Sequence, residues 1–154
     1  MTIFIGADHA GFKLKKEIKE YLKRLGLKYQ DLGNLVFDPD DDYPDFAELV
    51  AKRVAREKGS RGILICGTGQ GMALAANKVK GAYATLACNE LTGRLAREHS
   101  QTNVLALGAW TVKPELAKKI IKIWLQAKPS KKIRYLRRIN KIKKIEEFCL
   151  RRRV

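Results

Sequence analysis

The stretch Gly62-Ile63-Leu64-Ile65-Cys66-Gly67-Thr68-Gly69-Gln70-Gly71-Met72 decides the fold. Gly62 to Cys66 is too short and too β-branched for a helix. Its unbroken apolar character suits a strand buried on both faces, as in a parallel sheet covered by helices. A glycine-rich turn and an alanine-rich helix follow it. Upstream, Thr2 to Gly6 is a second β-rich run, ending in Gly6-Ala7-Asp8-His9-Ala10-Gly11. Phe12, Leu14, Ile18, Tyr21, Leu22 and Leu25 then recur at helical spacing until Gly26 closes the helix. Leu27 to Leu32 is compatible with a strand before an acidic loop, Asp38 to Asp45. Pro44 suits the first turn of the next helix, whose apolar face is Phe46, Ala47, Leu49, Val50 and Val54, and Asp45 favours its positive end.

Downstream, Ala82 to Ala87 and Val104 to Leu107 read as strands separated by a helix around 90–98. The last helices are expected over about 113–127, with Leu116, Ile120, Ile123 and Trp124 as the apolar stripe, and over about 130–149. Strands alternating with helices imply right-handed crossovers and a doubly wound α/β/α sandwich of about five parallel strands. The 154 residues fit one domain, 1–154, with a basic helical segment at about 128–154.

Hydrophobic content of 45% and charged content of 31% are those of a globular chain rather than a disordered or fibrous one. No run is long and apolar enough for a membrane span. The opening residues are apolar for too short a run, and lack the basic leader, to predict a secretory signal. Cys66, Cys88 and Cys149 form no CxxC spacing, so reduced thiols and a cytoplasmic location are expected. The formal net charge of +16 is uneven: residues 128–154 hold twelve basic and two acidic residues, a net +10. Such a field attracts anions generally, among them phosphorylated metabolites, RNA and acidic lipid surfaces.

Ligands of doubly wound sheets bind outside the carboxyl ends of the strands. The polar residues expected there are Asp8 and His9, the loop Cys66 to Gly71, and Asn89-Glu90. Glycines at 67, 69 and 71 let backbone N–H groups face a ligand closely, and the following helix start favours negative charge. That environment also favours a thiolate, fitting Cys66 to act as nucleophile or base. The alternative is a buried core cysteine before a tight turn. A P-loop fails because Met72 stands where lysine is required, and a dinucleotide fingerprint fails because the third glycine falls one residue early. No HExxH motif or cysteine pair supplies a metal set, and His9 and His99 suit acid, base or phosphate-donor roles. The acidic loop carries Tyr43 and Leu49 where a calcium loop needs glycine and glutamate, so it reads as solvated loop and helix cap. In the basic segment Ile133, Leu136, Ile139, Ile142 and Ile145 recur every third residue, an apolar stripe opposite a solvated basic face, with arginines available for an anion.

Five segments, IGADHAGFKLK, DYPDFA, GILICGTGQGMALAANKVKG, AREHSQTNVLALG and RYLRRINKI, together resemble ribose-5-phosphate isomerase B and its relatives, which include galactose-6-phosphate isomerase subunits. The resemblance implies a Rossmann-like fold and a metal-free, cofactor-free aldose–ketose isomerase working through an enediolate. It matches Cys66 to the catalytic base, the amides from Gly67 to Gly71 to enediolate stabilisation, Thr68 to sugar positioning, Asp8 to hydroxyl binding and His99 to ring opening. His9, Arg134 and Arg138 match phosphate ligands, and Tyr43 and Ser100 match pocket positions. It further implies a homodimer or tetramer whose sites combine two subunits. Ser100 replaces the family's usual asparagine, Trp110 an arginine, Lys132-Ile133 a Gly-Gly pair and Tyr135 a histidine. These changes leave a hexose 6-phosphate such as allose or galactose 6-phosphate as an alternative substrate. A nucleic-acid-binding role for the basic segment is a lower-ranked alternative: it has no recognised reading motif, so contact with nucleic acid is expected to be non-specific at most.

Overall fold

In the computed structural model, residues 1–151 are described, with side chains through Phe148. Cys149 and the Arg151-Arg152-Arg153 cluster of the basic segment therefore lie outside the described side chains. The chain runs β1 (Ile3–Ala7), α1 (Phe12–Arg24), β2 (Tyr29–Asp31), α2 (Tyr43–Arg56), β3 (Arg61–Cys66), α3 (Gln70–Ala76), β4 (Ala84–Leu86), α4 (Glu90–Ser100), β5 (Val104–Gly108), α5 (Pro114–Gln126) and α6 (Ile133–Arg151).

All pairings are parallel, and the five strands stand in the order β2-β1-β3-β5-β4. This is the doubly wound α/β architecture expected from the strand–helix alternation. Successive strand side chains take opposite faces. Ile3, Ile5, Ala7, Ile63, Ile65, Leu105 and Leu107 therefore pack with α1, α4 and α5, burying Trp124 completely. Phe4, Leu64, Cys66, Val104 and Ala106 pack on the other face with Ala47, Val50 and Val54 of α2 and with Met72 and Ala76 of α3. The edge strands β2 and β4 are shorter than the sequence pattern predicts, because each has a neighbour on one side only.

Four expected helix faces need correction. Leu25 is exposed beyond the end of α1 and Leu49 projects from α2 into solvent, while Ala51 takes the inward place. On α5 the buried stripe is Ala117, Ile120, Ile121 and Trp124, with Leu116 and Ile123 only partly covered. On α6 only Ile139 is buried among the described residues, whereas Ile133, Leu136, Ile142 and Ile145 are exposed. Spacing by three falls short of a helical turn, so five such residues drift around the helix by roughly 60° per step. α6 is instead tied down through Glu146, which accepts from the Gly81 N–H at 2.8 Å and the Tyr83 hydroxyl at 3.0 Å. Burial and this carboxylate push the Tyr83 phenol up to about 12.

Lys15, a charged residue on the same side of α1 as Phe12, Ile18 and Leu22, is buried. Its ammonium donates to Asp31 Oδ1 at 2.8 Å and to the Gly33 and Asn34 carbonyls at 2.8 and 2.6 Å. Lys19 takes the other Asp31 oxygen at 2.7 Å. Burial wins over pairing on Lys15 and draws its ammonium below the ordinary lysine value. On Asp31 burial acts upward, but the hydrogen bonds from two lysines and the Gly33 N–H outweigh it and hold the carboxyl below its ordinary 3.8. A depressed carboxylate stabilises the folded chain above the unfolded-state value, and that stability is lost as pH falls through the folded value. Thermal melts are therefore expected to be level with respect to this group at neutral pH and to fall below about pH 4. In Asp31→Asn that part of the acid slope should be absent.

Candidate active site

The strand order reverses between β1 and β3, and the crevice outside their carboxyl ends is where a doubly wound sheet accepts ligands. Both adjoining loops are polar there. Asp8 follows β1, its N–H donating to the Ile65 carbonyl across the crevice at 3.3 Å. Asp8 is 5% exposed, and its Oδ1 accepts the Gly11 N–H at 2.9 Å. Burial raises its carboxyl above the ordinary aspartate value despite that bond. Cys66 ends β3 with its side chain on the α2–α3 face.

The loop after Cys66 turns back onto the sulfur. Gly69 adopts φ +78°, a left-handed conformation that L side chains rarely adopt, and any Cβ there would lie 2.8 Å from the Leu107 backbone carbon. This conformation aims the Gly69 N–H at Cys66 Sγ, 3.1 Å away. Gln70 N–H approaches Thr68 Oγ1 at 3.4 Å. The first intrahelical bond of α3 runs from Ala73 to Gly69, which leaves the Gly71 and Met72 N–H groups without helical acceptors. The Trp110 and Tyr43 rings lie so close over Gly67 and Gly71 that a Cβ at either glycine would come within 2.6 Å of them. Cys66, packed in the core cluster between the sheet and α2–α3, has only 5% of its surface exposed.

His9 faces the same crevice and is held by the acidic loop. Asp41 Oδ1 accepts the His9 N–H at 2.8 Å and lies 2.8 Å from ring Nδ1. That hydrogen bond, against a smaller effect of burial, raises the imidazole above its ordinary value. The loop is thus not wholly solvated as its composition predicts, because Asp41 turns inward. Asp42 occupies the N-cap position of α2 without a side-chain cap bond.

His99, Ser100, Arg134 and Arg138 are not brought to this crevice within one chain. α4 begins beyond the carboxyl end of β4 and runs back, so its last residues meet the amino ends of the strands: Asn103 N–H donates to the Tyr83 carbonyl and Gly62 N–H to Asn103. Ser130 N–H donates to Glu98, bringing the approach to α6 to that same end. There Tyr135 stacks on His99 with ring centroids 4.0 Å apart, and the Arg134 and Arg138 guanidinium groups lie 5.1 and 6.0 Å from the Tyr135 ring. A strand's length, roughly 17–20 Å, separates the two poles. Asn89 also stands apart from the crevice: β5 intervenes, and its side chain caps α4 by accepting the Thr92 N–H at 2.8 Å. Among the described residues no group of three or more His, Cys, Asp or Glu side chains is placed to hold a metal ion. No helix among them is long and apolar enough to cross a membrane.

Residues 3–142 match the family model described as Ribose/Galactose Isomerase. The chain belongs to this family. As a ribose/galactose isomerase family member it is similar to ribose-5-phosphate isomerase B of Mycoplasma genitalium, whose crystal structure holds ribulose 5-phosphate. That likeness is 47% identity over 95% of this chain and 96% of the other, with a TM-score of 0.90. The chain is also 43% identical to a putative sugar phosphate isomerase of Bacillus subtilis, covering 96% of this chain and 98% of the relative. A D-erythrulose-4-phosphate isomerase of Pectobacterium atrosepticum is 42% identical over 82% of this chain and 84% of its own length. The family's shared sheet matches the one described above, and the chain is an isomerase.

Proposed function

We propose that the chain interconverts ribose 5-phosphate and ribulose 5-phosphate in the cytoplasm, with Cys66 as the base. The Gly69 N–H on Cys66 Sγ, beside Asp8 at the β1–β3 crevice, carries the reading. The thiolate takes the C2 proton of the open-chain aldose, and the electron pair moves through C1–C2 onto the carbonyl oxygen. The resulting enediolate recovers a proton at C1, while the O2 hydroxyl proton passes to O1, so atoms and charge balance. Loop amides from Gly67 to Gly71 stabilise the enediolate oxygen, a contribution for which one lost donor costs about 10²–10³ in rate. Asp8 binds sugar hydroxyls, and Thr68, Tyr43 and Ser100 line the sugar. His99 supplies the proton transfer that opens the furanose ring, and His9, Arg134 and Arg138 hold the phosphate. Relatives described as ribose-5-phosphate isomerase B at 42–47% identity support the five-carbon substrate.

The separation of the two poles supports a homodimer in which His99, Ser100, Arg134 and Arg138 come from the second copy. The exposed apolar residues of α6, Ile133, Leu136, Ile142 and Ile145, supply surface for that contact. Mixing inactive Cys66→Ser with inactive His99→Ala, followed by subunit exchange, tests the arrangement. Half the dimers are then mixed and each carries one intact site, so about a quarter of wild-type activity is expected. Sites complete within single chains give none. The same assay run on ribose, allose and galactose phosphates should return the largest kcat/KM for ribose 5-phosphate; a larger value for a hexose replaces the five-carbon assignment.

A further inference from the structure

Five aspartates lie between Asp38 and Asp45, and four of them, Asp38, Asp40, Asp42 and Asp45, are exposed. Asp41 alone is turned in, its side chain 6% exposed against 39% for the His9 it holds. Its Oδ1 fixes both the backbone and the ring of His9, at 2.8 Å each, and its Oδ2 accepts from the Asn34 side-chain amide. Asn34 is itself anchored: its N–H donates to the Ala7 carbonyl at 2.8 Å, and its own carbonyl accepts from buried Lys15. A continuous series thus runs from the Lys15 ammonium in the core, through Asn34 and Asp41, to the imidazole at the crevice. Among the described residues no hydrogen bond reaches the His9 Nε2, and the side chain is 39% exposed.

We infer that Asp41 is a positioning residue for phosphate recognition, fixing the His9 ring so that Nδ1–H points at the carboxylate and Nε2–H points at the phosphate of the substrate. The inference rests on the phosphate role proposed for His9. With Nδ1 bound to Asp41, a neutral imidazole would present the Nε2 lone pair to phosphate oxygens and repel them. The imidazolium presents a donor instead, and a carboxylate behind it favours that form. The groups that act on the ring are Asp41 from the acidic loop and Asp8 beside it in the chain, both acidic, so both favour the cation.

The test uses the full chain with ribose 5-phosphate. Asp41→Asn keeps the shape but removes the charge and sets an amide against the Asn34 amide. KM is expected to rise about tenfold, the scale of one charge-assisted contact, with kcat nearly unchanged. Asp41→Glu should recover part of the loss. In a His9→Ala background Asp41→Asn should add almost nothing, because Asp41 acts through His9. Equal effects with and without His9 overturn the inference, as does an unchanged KM in Asp41→Asn when His9→Ala raises it. If His9→Ala itself leaves KM unchanged, the phosphate role of His9 fails instead. With only two histidines in the chain, NMR titration of the wild type gives a readout independent of activity and of any variant's folding. His9 should titrate above 6.5, with Nδ1 protonated throughout, and inorganic phosphate should move it higher. Titration at or below that value overturns the inference.

Discussion

Cys66→Ser should lower kcat for ribose 5-phosphate by about 10²–10⁴-fold, the range that a positioned base contributes, with KM little changed. In the proposed step the base is the Cys66 thiolate, which the Gly69 N–H faces at 3.1 Å. A serine hydroxyl, far less acidic than a thiol, does not supply such an anion near neutral pH. The rest of the crevice is untouched by the exchange, since the left-handed Gly69 and the buried Asp8 depend on backbone geometry. Isomerisation in D2O gives a second readout: an enediolate path exchanging its proton with solvent places deuterium at C1 of ribulose 5-phosphate. A variant retaining about a tenth or more of wild-type kcat sinks the assignment of Cys66 as base, because it falls short of the least that such a base contributes.

Lys15→Met should cost about 3–5 kcal/mol of folding stability, the scale for removing one partner of a buried ion pair. The thioether fills the space of the aliphatic stem, yet it leaves the Asn34 carbonyl without its lysine donor, the Gly33 carbonyl with the Ala7 N–H alone, and Asp31 with Lys19 and the Gly33 N–H. Lys15 is 1% exposed, so water does not simply replace the ammonium. Denaturant titration of the purified variant reads the loss directly, and a change under about 1 kcal/mol would show that water or a local shift satisfies those groups. Because Asn34 supports Asp41, which in turn holds His9, a weaker hold on sugar phosphate should accompany the loss wherever the variant remains folded.

The central strands were legible because they are buried on both faces. An unbroken apolar run such as Gly62 to Cys66 has few other ways to be satisfied, and the structure places β3 within one residue of it. The edge strands were overextended for the opposite reason: Leu27 to Leu32 carries the same residue types as a paired strand, but only Tyr29–Asp31 finds a ladder partner. Leu49 and Ala51 exchange roles because Ala51 stands four residues after Ala47 and three before Val54, on the same side of α2, whereas Leu49 falls on the far side. Among the site residues, the glycine loop and Asp8 were readable from strand ends and spacing. Asp41 was not, since nothing in a run of aspartates distinguishes the one that meets a histidine 32 positions away in the chain.

Sequence alone determined the alternation of strands and helices, the placing of Asp8 and Cys66 at the carboxyl ends of strands, and the glycine-rich turn after Cys66. These follow from local rules, namely side-chain periodicity, β-branching and backbone freedom. Tertiary structure decided which charges went inside and which site residues share a pole. Burying Lys15 depends on three acceptors contributed by the last residue of β2 and the loop after it, and the placement of His99, Arg134 and Arg138 depends on α4 running back along the sheet. Both are matters of long-range geometry, in which a side chain's surroundings come from residues its neighbours in the chain do not specify.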